Sequence, residues 1–161
     1  LYEILFHDFS ISIVTIDAAE IDEVRTRMSM NECVAKLHAE AITGLQPESA
    51  YVDACDVNAE RYGRIVAHHL GFPCKIIAEH RADARYKIVG AASIVAKVTR
   101  DRAIKELGEQ YGKIGSGYPS DAVTIDFLRD YIKNYGSPPP CARRSWKTVA
   151  NLYQTTMQDF S

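Results

Sequence analysis

Asp53 and Asp83 are the residues best suited to chemistry, because each follows a short apolar run of β-forming residues. The first run is Ala50-Tyr51-Val52-Asp53-Ala54-Cys55-Asp56. The second is Lys75-Ile76-Ile77-Ala78-Glu79-His80, followed at once by Arg81-Ala82-Asp83. Two carboxylates brought together repel unless a cation neutralises them, and hard divalent ions prefer oxygen ligands. Each Asp alone also fits a strand-end turn residue. Tyr118 is the third candidate, displayed between Gly117 and Pro119 where an aromatic ring can stack on a sugar or base. An aromatic in such a loop can equally plug a core. The five histidines show neither H-x-x-x-H nor H-E-x-x-H spacing, and Cys33, Cys55, Cys74 and Cys141 form no C-x-x-C pair. Zinc and redox motifs are therefore not indicated, and free thiols in a reducing cytoplasm are expected.

A helix-like stretch from Asn58 to Leu70 separates the two runs, which predicts a strand–helix–strand unit with parallel strands. Ligands collect beyond the carboxyl ends of such strands, where both aspartates would stand side by side. Upstream, Ser10-Ile11-Ser12-Ile13-Val14-Thr15-Ile16 alternates and is β-branched, which predicts a further strand. Asp17 is the expected N-cap of a short acidic helix from Ala18 to about Met28, and Ser29 or Asn31 opens the next, ended by Gly44. The longest helix is expected from about Val89 to Leu107, its small residues Gly90-Ala91-Ala92-Ser93 allowing close approach to a sheet. Ser120 or Asp121 should cap a helix to about Tyr135, and Ser145 a last one. Asp56 fits an N-cap role before Asn58 as well as a place beside Asp53. Asp101 is expected to pair locally with Arg100, Arg102 or Lys105.

The 161 residues are 47% hydrophobic and 25% charged, as in one water-soluble globular domain, and no apolar run approaches membrane-spanning length. Net charge is −2 but unevenly distributed. Residues 1–80 carry 6 Lys/Arg against 13 Asp/Glu, whereas residues 81–161 carry 13 against 8. An acidic half suited to cations and a basic half suited to phosphates match what a metal-dependent nuclease needs, although ordinary clumping of surface charge fits as well. The opening Leu1-Tyr2-Glu3-Ile4-Leu5-Phe6 reads as the end of a helix without an N-cap, which points to a fragment of a longer protein.

Several segments, in order, resemble ribonuclease HII in its archaeal form. They are Tyr51-Val52-Asp53-Ala54, His80-Arg81-Ala82-Asp83, Ala91-Ala92-Ser93-Ile94-Val95-Ala96-Lys97-Val98-Thr99-Arg100-Asp101, Gly115-Ser116-Gly117-Tyr118-Pro119-Ser120-Asp121 and Trp146-Lys147-Thr148. The resemblance implies an α/β, ribonuclease H-like fold, with a mixed sheet flanked by helices, lacking its first two strands and ending in a helical part. Residues 1–110 would form the partial catalytic domain and 111–161 the helical substrate-binding region. The implied activity is hydrolysis of the RNA strand of RNA–DNA hybrids, or nicking of duplex DNA at an embedded ribonucleotide, with Mg²⁺ or Mn²⁺. Asp53 and Asp83 match the family's third and fourth metal-binding carboxylates, and Tyr118 the tyrosine that packs on the sugar. Lys97, Arg100 and Lys147 are candidate phosphate contacts. The complete protein is expected to be monomeric and cytoplasmic, without a membrane partner.

The family's first two carboxylates lie in a D-E-A-G-R-G motif, and these 161 residues contain no counterpart of it. The chain by itself is therefore expected to be nearly inactive and loosely packed, the alternative function being a non-catalytic nucleic-acid-binding remnant.

Overall fold

The computed structural model describes residues 1–158, which form eight helices and two strands. Strands β1 (Ser49–Asp53) and β2 (Lys75–Glu79) pair in parallel, with Asp53 opposite Glu79. Helix α4 (Ala59–His68) connects them, as the apolar spacing requires. Asn58 caps α4 by accepting the Arg61 N–H at 2.8 Å. Asp56 accepts the Asn58 N–H at 2.9 Å and pairs with Arg61, so it is occupied in starting this helix.

The chain divides into two compact units. One comprises Leu1–Thr15 with Arg27–Val98, and the other Ile16–Thr26 with Thr99 onward; the division falls inside helix α6 (Lys87–Tyr111). The first unit also holds α1 (Tyr2–Asp8), α3 (Met30–Thr43) and the single turn α5 (Ala82–Arg85). Its core joins Ala35 and Ala39 of α3, Val52 of β1, and Tyr62 and Val66 of α4. Gly63 brings α4 close to the sheet: a Cβ there would lie 3.1 Å from the Cβ of Ala78. Tyr62 is fully buried, and its hydroxyl meets Nδ1 of His38 at 2.9 Å. That contact satisfies a polar group which would otherwise cost about 1–3 kcal/mol.

The second unit holds α2 (Ala18–Val24), α7 (Ala122–Tyr135) and α8 (Lys147–Gln158). Asp17 and Glu20 form a reciprocal capping box at the start of α2. Leu128 and Ile132 of α7 and Val149 of α8 are buried. Gly136 ends α7 in the left-handed conformation. Asp22 of α2 accepts the backbone N–H groups of Arg144 (2.7 Å) and Ser145 (3.0 Å), clasping the approach to α8.

Two expectations are corrected. Ser10–Ile16 forms no strand; among the described residues the only ladder is β1–β2. Alternating β-branched residues favour an extended chain, but a strand also needs a hydrogen-bonding neighbour. This segment instead has Ser12 against the end of α3, where a Cβ on Gly44 would fall 2.3 Å from the Ser12 Oγ. The small residues at the start of α6 do not serve approach to the sheet either. Gly90 faces the carbonyl of Asp83 in α5, 3.0 Å from where its Cβ would be, and Ala92 and Ser93 are exposed.

Candidate functional site

Asp53 is the last residue of β1, half-buried, and its Oδ1 accepts the backbone N–H of Ala82 at 3.1 Å. That bond depends on a sharp turn after β2. Arg81 adopts the left-handed conformation (φ 56°, ψ 38°), unusual for a residue with a side chain, and α5 begins immediately after it. Asp83 is the second residue of α5, exposed, with Oδ1 accepting the Ala84 N–H at 2.9 Å. The second strand therefore ends at Glu79, and Asp83 stands one turn of chain further on. Sequence reading placed the aspartates at two equivalent strand ends; the structure instead ties the end of β1 to the start of α5.

Each carboxylate spends one oxygen on a backbone N–H, which leaves the other for a ligand. Hard carboxylate oxygens suit Mg²⁺ or Mn²⁺, and two of them suit one ion with water completing its shell. Among the described residues no group of three or more His, Cys, Asp or Glu could hold a metal.

Glu79 is a carboxylate that sequence reading passed over. It lies opposite Asp53 in the ladder, pairs with Arg85 and accepts the Tyr86 hydroxyl at 2.8 Å. That bond, with the charge of Glu79 beside it, pushes the Tyr86 phenol up. Tyr86 also packs on Tyr51, ring centroids 4.5 Å apart. The parallel register places Glu79 across from Asp53, a pairing that no local pattern fixes. His80 is exposed.

The loop of the second unit is built around Asp121, which caps α7 by accepting the Val123 N–H at 3.0 Å. Its other oxygen accepts the Ser116 N–H at 2.6 Å and lies 3.3 Å from the Thr124 hydroxyl. That hydroxyl donates to the Ile114 carbonyl (3.0 Å) and accepts the Gly117 N–H (2.9 Å). Gly115 has φ 73°, and a Cβ there would sit 2.7 Å from the Thr124 backbone nitrogen, so only glycine fits. The Ser116 backbone N–H, with its side chain, holds the Asp121 carboxyl down at about 2. Sequence reading found Asp121 as a possible cap but missed the clamp. The signal was a carboxylate just past a glycine loop whose N–H groups need acceptors.

Tyr118 is 50% exposed, and the guanidinium of Arg100 lies over its ring, 3.9 Å from the centroid. Arg100 also donates to the Ser116 carbonyl at 2.7 Å and pairs with Asp101 at 3.2 Å. Lys97 on α6 and Lys147, first residue of α8, are exposed.

The family model for Ribonuclease HII matches residues 2–149. The chain belongs to the ribonuclease HII family. It is 54% identical to a ribonuclease HII of Methanoregula boonei over 152 residues, covering 94% of this chain and 71% of that protein. A ribonuclease HII of Methanospirillum hungatei is 52% identical, with 94% and 74% covered. Among solved structures, the ribonuclease H2 from Pyrococcus horikoshii OT3 superposes with a TM-score of 0.89 at 39% identity, covering 98% of this chain and 75% of that one. The ribonuclease HII in a PCNA complex from Archaeoglobus fulgidus gives a TM-score of 0.80 at 43% identity, covering 91% of this chain and 70% of that one. These relatives place the chain among type 2 ribonuclease H enzymes with the α/β, ribonuclease H-like fold. Among the described residues no helix is long and apolar enough to cross a membrane.

Proposed function

We propose that these residues serve a divalent-metal endoribonuclease that hydrolyses the RNA strand of RNA–DNA hybrids or nicks duplex DNA on the 5′ side of an embedded ribonucleotide. The observation that carries the metal part is the bond from Ala82 N–H to Asp53, which fixes one carboxylate beside the turn bearing the other. Asp53 and Asp83 would hold Mg²⁺ or Mn²⁺ through their remaining oxygens. A divalent ion bound there supplies charge neutralisation for the phosphate and a lowered pKa for water. The chain's part is to orient the carboxylates: the Ala82 and Ala84 N–H groups each fix one oxygen. Tyr118 packs its ring on the sugar of the ribonucleotide, and Lys97 and Lys147 meet backbone phosphates, which positions the duplex without reading bases.

The second reading is a nucleic-acid-binding piece without catalysis, favoured by a donor set of two carboxylates where two-ion chemistry needs more. A duplex with one ribonucleotide, incubated with Mg²⁺ or Mn²⁺, separates the two. The 161-residue chain alone should bind, more weakly as salt rises, and cut little. The same chain carrying a D-E-A-G-R-G strand in cis should nick 5′ of the ribonucleotide, leaving 3′-hydroxyl and 5′-phosphate ends. Binding without any cutting by the extended protein would leave only the second reading.

A further inference from the structure

Arg100 is a basic side chain on a nucleic-acid-binding protein, and its default role is a phosphate contact. Its geometry argues otherwise. One Arg100 nitrogen donates to the Ser116 carbonyl at 2.7 Å and another faces the Asp101 carboxylate at 3.2 Å, which holds the guanidinium against the loop. The guanidinium plane carries the Tyr118 ring at 3.9 Å. Gly117, between Ser116 and Tyr118, has φ 74°, and a Cβ there would fall 2.9 Å from both Nη2 of Arg100 and Cδ1 of Ile104. The two residues that lead into Tyr118 are thus seated on Arg100, while Asp121 accepts the Ser116 N–H.

We infer that Arg100 is a positioning residue, acting on the ribonucleotide through Tyr118 by fixing the ring's orientation and leaving its exposed face for the sugar. The inference rests on the reading that Tyr118 packs on the sugar. The physical gain is pre-organisation: a ring already stacked on one side loses less freedom when a sugar covers the other. Arginine suits the task because its planar fork can bond a carbonyl in-plane and stack through its face at once, which an ammonium cannot.

The test is a double-mutant cycle on the 161-residue chain, measuring binding to a duplex with one embedded ribonucleotide and to the all-DNA duplex at several salt concentrations. Tyr118→Ala should lower affinity for the ribonucleotide duplex about tenfold, the loss of one stacked ring. Arg100→Met should lower it about three- to tenfold, the scale of the stacking it supports. In the Tyr118→Ala background Arg100→Met should add almost nothing, and the salt dependence should stay unchanged. Arg100→Lys, which keeps the charge but not the planar fork, should lose nearly as much affinity as Arg100→Met. A thermal melt of each variant separates misfolding from loss of orientation. Additive losses with a salt slope reduced by about one would make Arg100 a phosphate contact and overturn the inference, leaving the role of Tyr118 intact. Unchanged binding by Tyr118→Ala would overturn both, as would no binding by the unsubstituted chain.

Discussion

The carboxylate of Asp53 accepts the backbone N–H of Ala82 at 3.1 Å, one residue before Asp83. This bond joins the end of a strand to the start of a helical turn, through an arginine held in the left-handed region. It separates two jobs of Asp53. Asparagine keeps the accepting oxygen but loses the charge. Asp53→Asn should therefore change stability by less than about 1 kcal/mol, the scale of one retained hydrogen bond. Its Mn²⁺ affinity should fall steeply. Asp53→Ala should lose both. Thermal melts together with free-Mn²⁺ electron paramagnetic resonance check the pair; equal Mn²⁺ binding by Asp53→Asn and the unsubstituted chain would contradict it.

Asp121 gives a pH dependence with a definite sign. Its carboxyl is held at about 2, below its usual 3.8, first by the Ser116 N–H and further by the Ser116 side chain and the Val123 N–H. A depressed pKa means that the unfolded chain binds the proton more readily. The stabilisation is therefore complete above about pH 4 and lost as pH falls through 2. Asp121→Asn cannot titrate, so its deficit against the unsubstituted chain should be largest above pH 4 and shrink towards pH 2. Melting temperatures across that window test this, and a deficit independent of pH would contradict it.

Much of this was legible in the sequence because short-range signals decide it. The strand–helix–strand order and the caps at Asp17, Ser29 and Asp121 all follow from local pattern. The Arg100–Asp101 pair was legible as well, since neighbours in sequence need no fold to meet. What could not be read depended on contacts distant in sequence. Ser10–Ile16 has the composition of a strand, but pairing is decided by neighbours and not by alternation. The left-handed Arg81 carries no glycine signature, so the turn that separates Asp83 from β2 was invisible. Stacking of Arg100 on Tyr118 joins residues 18 apart, and only the folded loop shows where the guanidinium is held.

Asp22 supports a prediction remote from the aspartate pair. Its two oxygens take the N–H groups of Arg144 and Ser145, just ahead of α8, so a side chain from α2 holds the segment that leads into that helix. Loss of such a hydrogen-bond acceptor costs about 0.5–1.5 kcal/mol. Asp22→Ala should lower stability by that amount and speed hydrogen exchange at Arg144 and Ser145. Unchanged exchange at both amides would contradict the clasp.

The central claim is that Asp53 and Asp83 hold the cation of a ribonuclease HII. The most direct measurement is nicking of a single-ribonucleotide duplex in Mg²⁺ or Mn²⁺ by this chain joined to a D-E-A-G-R-G strand. The account predicts a cut on the 5′ side of the ribonucleotide, reduced more than about a hundredfold by either Asp53→Asn or Asp83→Asn. That exceeds the 10–100-fold that supporting neighbours of metal ligands typically cost. Cutting undiminished in both variants would contradict the claim.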